Sequence, residues 1–466
     1  MRLCLSAAVI GGKISSMISK LAGGRGSSLP GVVARRIYPH TLRRLSAQGN
    51  RGIIMVTGTN GKTTTNNMIA GILQAGGHRV IYNQEGANLI TGVTACFIRF
   101  STLTGRVNFD YASLEVDEAS FPKVVKEVRP EIVVVTNFFR DQLDRYGELD
   151  KTVQVVKQAL KELKDVTLVL NADDPLVAQL GQATGHNAVY YGLAKQEGME
   201  RTVAQTRESR FCPRCGEELQ YNYYHYSQLG DYSCTRCGFK RPRPDVEGTG
   251  VSTTIDGLRA RVCCAGDCYT IAVQTAGFYN LYNALAAFAV GRLLNIELAT
   301  IQSGLERYKP AIGRMERFRY RGKPVFLNLV KNPTGYNEGL ATLLSLPGSK
   351  DVFLALNDNA ADGRDISWLW DVDFEILTRH LEDLQSFTCS GTRAEEMALR
   401  LKYAGVPTGK ITVIPSLENA ITAALQGEAR TAYLFATYTA LWPSQNILCR
   451  LAEKEEHHAV GMPSVS

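Results

Sequence analysis

At 466 residues, with 45% hydrophobic and 21% charged positions, the chain has an ordinary soluble-protein composition and can bury cores in two or three domains rather than remain disordered. Its net charge of +7 is unevenly spread: eleven of its 52 Lys and Arg, and none of its 45 Asp and Glu, precede Glu85. Such a basic front suits phosphate ligands, an anionic membrane surface or nucleic acid, and charge alone does not choose among them. Eleven cysteines, four of them in two C-x-x-C pairs without an evident secretory signal, point to metal binding in a reducing cytoplasm rather than to a disulfide framework.

The apolar run 3–10 is too short to span a bilayer, and Gly11, Gly12 and Lys13 interrupt it. Residues 14–21 read as a basic amphipathic helix that either packs on the core or touches a membrane surface. Residues 51–65, R-G-I-I-M-V-T-G-T-N-G-K-T-T-T, read as a buried strand, a glycine loop and the first turn of a helix. Gly58 and Gly61 let backbone N–H groups close around a phosphate, Lys62 reaches the outer phosphates, and Thr63 is placed to hold Mg²⁺.

Val56 stands where the usual phosphate loop has its first glycine, and strand plus T-G-T-N-G-K-T-T-T resembles the ATP loop of the Mur ligase superfamily. That resemblance implies amide-bond formation through an acyl phosphate, with ATP on Thr59, Asn60, Gly61, Lys62, Thr63 and Thr64. Typical members carry an N-terminal domain that grips a uridine nucleotide. Residues 1–50 leave no room for one, so they are expected to pack on the central domain, and the acceptor is expected to be recognised differently.

Strands are expected at 79–82 and 109–115, the second ending in Glu115-Val116-Asp117-Glu118. Carboxylates at the C-terminal end of a parallel strand project into the ligand crevice, so Glu115 is the Mg²⁺ candidate and one of the other acids caps a helix. After a strand at 131–136, Asn137 to Gly147 resembles the family's T-N-x-x-x-D-H-L-D-x-x-G segment, with Gln142 in place of the histidine. Asn137 and Asp144 are retained as site residues; a second metal, and carbamylation of a lysine such as Lys157, stay open. A strand at 166–171 then ends in the N-A-D-D-P turn also found in the family.

Cys212-x-x-Cys215-Gly and Cys234-x-x-Cys237-Gly have the spacing of a zinc ribbon, placed at about 205–245, in which four thiolates close a structural Zn²⁺ site. The 221–226 run of aromatics reads as ribbon strand. Nearby arginines and lysines raise nucleic-acid binding, but no helix follows to enter a groove, so scaffold is preferred and no nucleic acid is expected. Cys263, Cys264 and Cys268 lack ligand spacing and read as small, buried or partly exposed residues.

Residues 275–287 resemble the family's G-x-x-N-x-x-N-x-x-A-A segment, which places Asn283 near the adenine. Gly313-Arg314-Met315-Glu316 matches G-R-x-E, with Arg314 on nucleotide phosphate and Glu316 orienting it. Where Mur ligases continue with D-Y-A-H-x-P, this chain has N-L-V-K-N-P-T-G-Y-N-E. With the ribbon and the D-N-x-x-D-G-R-D-x-S-W-x-W-D stretch at 358–371, nearly the whole chain resembles the MurT family, the Mur-like subunits of lipid II isoglutaminyl synthases. The later segments 374–384, 387–389, 395–403, 411–414, 417–427 and 432–438 alternate helix and strand, as a smaller α/β domain would.

The expected architecture is therefore α/β: a Mur ligase-type ATPase domain at 51–310 with the inserted Cys₄ ribbon, a C-terminal domain at 311–453 and a tail at 454–466. The resemblance implies ATP-dependent amidation of the D-isoglutamate α-carboxylate of lipid II in peptidoglycan synthesis. It implies ammonia from a GatD-like glutamine amidotransferase, whose Cys–His pair needs an orienting carboxylate; Asp365 is the first choice for it, with Asp358 and Asp362 behind. ATP, Mg²⁺ and structural Zn²⁺ are the expected cofactors, and the cytoplasm, at the inner face of the membrane where a lipid-linked acceptor is met, the expected location. A stand-alone ligase of the folylpolyglutamate type and a nucleic-acid-binding ATPase are the alternatives.

Overall fold

The computed structural model describes residues 2–21, 27–83, 87–141, 149–196, 209–254, 257–310, 312–345 and 347–455. A first sheet is begun by β1 (Gly52–Thr57), β2 (Val80–Tyr82), β3 (Tyr111–Glu115), β4 (Ile132–Val135), β5 (Thr167–Asn171) and β6 (Asn187–Leu193). The chain then leaves it for a separate hairpin, β7 (Gln220–Tyr226) and β8 (Leu229–Ser233), and returns as β9 (Val246–Thr254), β10 (Gly257–Cys264) and β11 (Asp267–Val273). Strand order is β11-β10-β9-β6-β5-β4-β1-β3-β2. Neighbours from β2 to β9 run parallel, and β10 and β11 extend the sheet antiparallel.

β1 explains why the sheet is covered on both faces. Ile54 and Val56 pack with Met68, Ile69 and Ile72 of helix Lys62–Ala75, whereas Ile53 and Met55 pack with Phe97 of helix Ile90–Phe100. A strand that is apolar at successive residues has no solvent face, which is the pattern of a central parallel strand. The order also makes a switch point, because β1 lies between β3 and β4, and such a crevice at the carboxyl ends of strands is where ligands bind.

The second sheet contains β12 (Arg314–Tyr320), β13 (Lys323–Leu329), β14 (Lys350–Ala355), β15 (Leu384–Ser390), β16 (Ile411–Val413), β17 (Thr431–Ala436) and β18 (Glu453–Lys454). Its order is β16-β15-β14-β17-β13-β12-β18, with β12 antiparallel to both its neighbours.

Four expectations from the sequence are corrected. Helix Arg2–Leu21 is continuous through Gly11 and Gly12. Glycine costs a helix roughly 1 kcal/mol, but here it permits close packing, since a Cβ on Gly12 would lie 3.0 Å from both Ile98 and the Pro30 carbonyl. Residues 374–380 form a 3₁₀ turn rather than a helix reaching 384, where β15 has begun. The segment read as strand to 438 stops at Ala436 and is followed by helix Tyr438–Leu451. Cys263 and Cys268, expected only as small, buried or partly exposed residues, face each other across β10 and β11 and form a disulfide.

Candidate active site

The loop after β1 turns at Gly58 and Gly61, whose φ values of +118° and +84° are ones that side chains disfavour. A Cβ on Gly61 would collide with Asn283 Oδ1, and one on Gly58 with Thr136 Oγ1. Asn137 clamps the loop's middle: its Oδ1 accepts from Asn60 N at 2.8 Å and its Nδ2 donates to Asn60 O at 3.0 Å. Thr59 N donates to Asn137 O at 2.8 Å, and its hydroxyl lies 3.1 Å from both the amide and the carbonyl of Phe139. Asn137 thus shapes the loop, while Asp144 lies outside the described residues.

Lys62 opens the helix and curls back, donating to Gly58 O at 2.5 Å, Thr59 O at 3.1 Å and Glu118 Oε2 at 3.1 Å. Burial works against its charge, but Glu118, then Asp117, Glu115 and Asp141, more than offset it and hold its pKa above the ordinary lysine value. Thr63 Oγ1 donates to Glu115 Oε2 at 2.7 Å, Asn88 Nδ2 donates to Glu115 Oε1 at 3.1 Å, and Asn83 pairs with the Glu115 backbone. Asp117 caps its own turn by accepting from Ala119 N at 3.1 Å. Asp141 Oδ2 accepts from Lys331 at 2.6 Å, whereas its buried Oδ1 has no hydrogen-bond partner among the described residues. The buried carboxylates of Glu115, Asp117 and Glu118 outnumber the one lysine among them, Lys62, and with the Thr63 hydroxyl they are a hard oxygen donor set that fits Mg²⁺.

Asn283 meets this loop rather than standing apart, accepting from Thr65 Oγ1 at 3.2 Å and donating to Asn280 Oδ1 at 3.1 Å. Thr64 lies 3.5 Å from the Tyr308 hydroxyl. The second sheet closes the crevice through a residue the sequence reading had not singled out. Asn332 Nδ2 donates to Asn60 Oδ1 at 3.0 Å, while its Oδ1 accepts from Gly335 N at 2.8 Å and caps helix Pro333–Ser345. Asn followed by Pro is a helix-start signal and could have revealed it. Glu316 does not orient Arg314. A bulge at Met315, φ +58°, shifts the register, and Glu316 accepts from Gly313 N and Gln445 and pairs with Lys454. Arg314 instead stands near the buried Tyr279.

The three candidate acids of the 358–371 stretch, Asp358, Asp362 and Asp365, have different surroundings. Asp362 is 4% exposed, and its carboxylate accepts from the amide and hydroxyl of Thr439, capping helix Tyr438–Leu451. Asp358 is held by Thr392 Oγ1 at 2.9 Å and Arg393 at 2.8 Å, which lower its pKa. Asp365 is exposed, and the Ser367 amide, donating at 2.8 Å, keeps its pKa low.

Cys212, Cys215, Cys234 and Cys237 bring their sulfurs within 4.8 Å of one another. The closest pairs are 3.5 and 3.6 Å apart, near the roughly 3.8 Å expected for thiolates sharing a tetrahedral ion at ~2.3 Å, so the donor set fits a metal. The N-A-D-D-P turn docks this ribbon. Asp173 accepts from Arg241 Nε and Tyr282 OH, both at 2.7 Å, and Gln228 Nε2 reaches Phe138 O at 2.7 Å. Asp174 accepts from Phe138 N at 2.9 Å and caps helix Pro175–Thr184 through Leu176 N.

Burial pushes Asp174 up to about 7 despite those donors. Its unfolded value is about 3.9, so between these pH values the folded state binds the extra proton and stability falls as pH rises. Asp174→Asn is expected to gain relative to the parent as pH goes from 4 to 7, with no further gain above. Denaturant titrations across that range check this; a pH-independent difference would refute it.

A phosphate loop with an adjoining carboxylate pair, on a parallel sheet joined to a second α/β sheet, defines an ATP-using ligase of the Mur type. The Mur ligase middle domain model matches residues 56–233, and the MurT ligase C-terminal model matches residues 329–441. The chain is 43% identical over 394 residues to the lipid II isoglutaminyl synthase (glutamine-hydrolyzing) subunit MurT of Staphylococcus aureus, spanning 84% of this chain and 86% of that one. The same subunit of Streptococcus pneumoniae is 36% identical over 427 residues, 91% and 93% of the two chains. A pseudomurein peptide ligase type C from Methanothermus fervidus superposes with a TM-score of 0.66 at 26% identity, covering 87% of this chain and 80% of its own. The chain belongs to the MurT family.

Proposed function

We infer that this chain is the ATP-using subunit of a lipid II isoglutaminyl synthase, converting the D-isoglutamate α-carboxylate to D-isoglutamine. The observation that carries this is the identity to MurT subunits over most of the chain, in a molecule whose phosphate loop, Lys62 and Thr63–Glu115 pair share one crevice. That likeness does not favour a folylpolyglutamate-type ligase or a nucleic-acid-binding ATPase.

In our reading ATP lies on Thr59–Thr64, with Asn283 and Arg314 beside it. Thr63 and Glu115 would hold Mg²⁺, which offsets phosphate charge when bound. The acceptor carboxylate oxygen attacks the γ-phosphorus and ADP leaves. Lys62 is positioned to stabilise charge on the transferring group, since phosphoryl transfer rests on positioning and electrostatics. Ammonia then attacks the acyl carbon, and inorganic phosphate leaves, taking up the proton that the nitrogen gives up. Asn137 and Asn332 fix the loop from the two sheets.

The ammonia source in this proposal is a GatD-like glutaminase docked on the C-terminal sheet, near Asp365. Trp370 and Tyr403, 55% and 70% exposed and edge to face, give that surface the exposed aromatics typical of interfaces. No described helix is long and apolar enough to cross a membrane; we place the protein in the cytoplasm at the inner membrane face, where lipid II is met. The test is amidation of lipid II by the purified chain. Product is expected with ammonium alone, and with glutamine only when the partner is added. Ligation of a free amino acid instead would sink the assignment.

We assign Zn²⁺ to the four cysteines as a structural ion. Such sites supply about 10–16 kcal/mol of folding free energy, and here the ribbon also grips Phe138 through Gln228. Cys234→Ser, or chelation, is expected to release about one zinc per chain and weaken ATP binding by roughly tenfold, a 1.4 kcal/mol loss of loop support. Unchanged ATP affinity after zinc loss, read by calorimetry, would show that the ribbon is energetically separate from the loop.

A further inference from the structure

Helix Arg2–Leu21 presents two adjacent stripes that the ATP chemistry does not use. Lys13, Met17 and Lys20, at helical spacing, wall a groove of about 550 Å³ whose other side includes Arg99 of helix Ile90–Phe100. The described residues lining it include these three cations and no carboxylate. Asn83 lines the same groove and pairs with the Glu115 backbone, so one end abuts the shell of the phosphate loop.

Beside the cationic wall, Ile14, Ile18 and Leu21 are 50%, 57% and 81% exposed. The helices are locked at backbone contact. Gly12 lies against Ile98 and Pro30, and a Cβ on Gly31 of helix Leu29–Ile37 would collide with the Thr91 carbonyl. The groove is thus built into the fold rather than formed by loose side chains.

Resting on the amidation reading, we propose that this groove holds the diphosphate of the polyprenyl-linked acceptor, with Ile14, Ile18 and Leu21 entering the bilayer headgroup layer beside it. A diphosphate carries several negative charges in a small volume and needs converging cations, which Lys13, Lys20 and Arg99 supply. A helix with an apolar stripe flanked by lysines rests in the plane of an interface. The acceptor's peptide would then run from the groove past Asn83 toward Lys62 and Glu115. This gives the chain its own grip on a lipid-linked substrate at the membrane.

The test compares the parent with Lys13→Gln/Lys20→Gln/Arg99→Gln, and with the single Lys20→Gln at an exposed position should the triple variant fold poorly. KM is measured with ammonium for an acceptor bearing the polyprenyl diphosphate and for the same muropeptide lacking it. Replacing charge-assisted contacts is expected to raise KM for the first acceptor about tenfold or more, so that the parent's preference between the two collapses. In flotation, the parent is expected to follow phosphatidylcholine vesicles doped with polyprenyl diphosphate at salt concentrations that release it from charge-matched phosphatidylglycerol vesicles. An unchanged KM ratio, or equal binding to both vesicles, would overturn the diphosphate site while leaving amidation intact. No product from the parent with either acceptor would remove the amidation reading and this proposal with it.

Discussion

Lys62→Met is expected to abolish amidation, by roughly 10²-fold or more, and to cost stability for a separable reason. The catalytic loss follows from removing the cation that would meet charge on the transferring phosphoryl group in a water-poor crevice. The stability loss follows from Glu118, whose side chain is 6% exposed and whose counter-charge is Lys62 at 3.1 Å. Breaking one side of a buried pair costs about 3–5 kcal/mol, because the remaining charge has neither water nor partner. Adding Glu118→Gln removes the orphaned charge, so the double variant should recover most of the stability and none of the activity. Denaturant unfolding and ammonium-driven amidation on the same preparations check the two effects. Activity returning with stability would show that Lys62 serves the fold alone.

What the sequence revealed of this site depended on how far apart the cooperating residues lie. The loop was readable because its chemistry is local: Gly58 and Gly61 take positive φ, and Lys62 and Thr63 follow at fixed spacing. The four cysteines were readable for a similar reason, since each C-x-x-C pair makes its own knuckle and only the two knuckles must meet. Glu118 stood in a noted acidic run, but its pairing with a lysine 56 residues earlier is set by the order of β1 and β3. Asp173 read as a turn residue because Asp is common there; its bonds to Arg241 and Tyr282 arise only when the ribbon folds onto the sheet. Helix Tyr438–Leu451 was missed in the same way, as one of its caps is Asp362, 77 residues earlier in sequence. Glu316 was misassigned because a bulge at Met315 breaks the alternation that would have aimed it with Arg314.

Asp365→Asn is expected to lower glutamine-driven amidation by up to roughly 10⁴-fold relative to the ammonium-driven reaction, the loss that follows when a nucleophile's histidine loses its orienting carboxylate. Such a carboxylate must be ionised and within a partner's reach. Asp365 meets both conditions, being exposed and kept anionic by the Ser367 amide. Asp358 is ionised too, but its two oxygens are engaged by Thr392 and Arg393, so Asp358→Asn should act weakly, by loosening that loop. Asp362 is buried on Thr439; Asp362→Ala should cost about 1 kcal/mol as a lost cap and lower both reactions together. The three variants therefore give three patterns when each is assayed with ammonium and with glutamine plus the partner: selective loss, small change, and parallel loss. Should the selective loss fall on Asp358 instead, the partner's histidine must displace Arg393, and the interface would lie toward helix Ala394–Tyr403 rather than over the Asp365 turn.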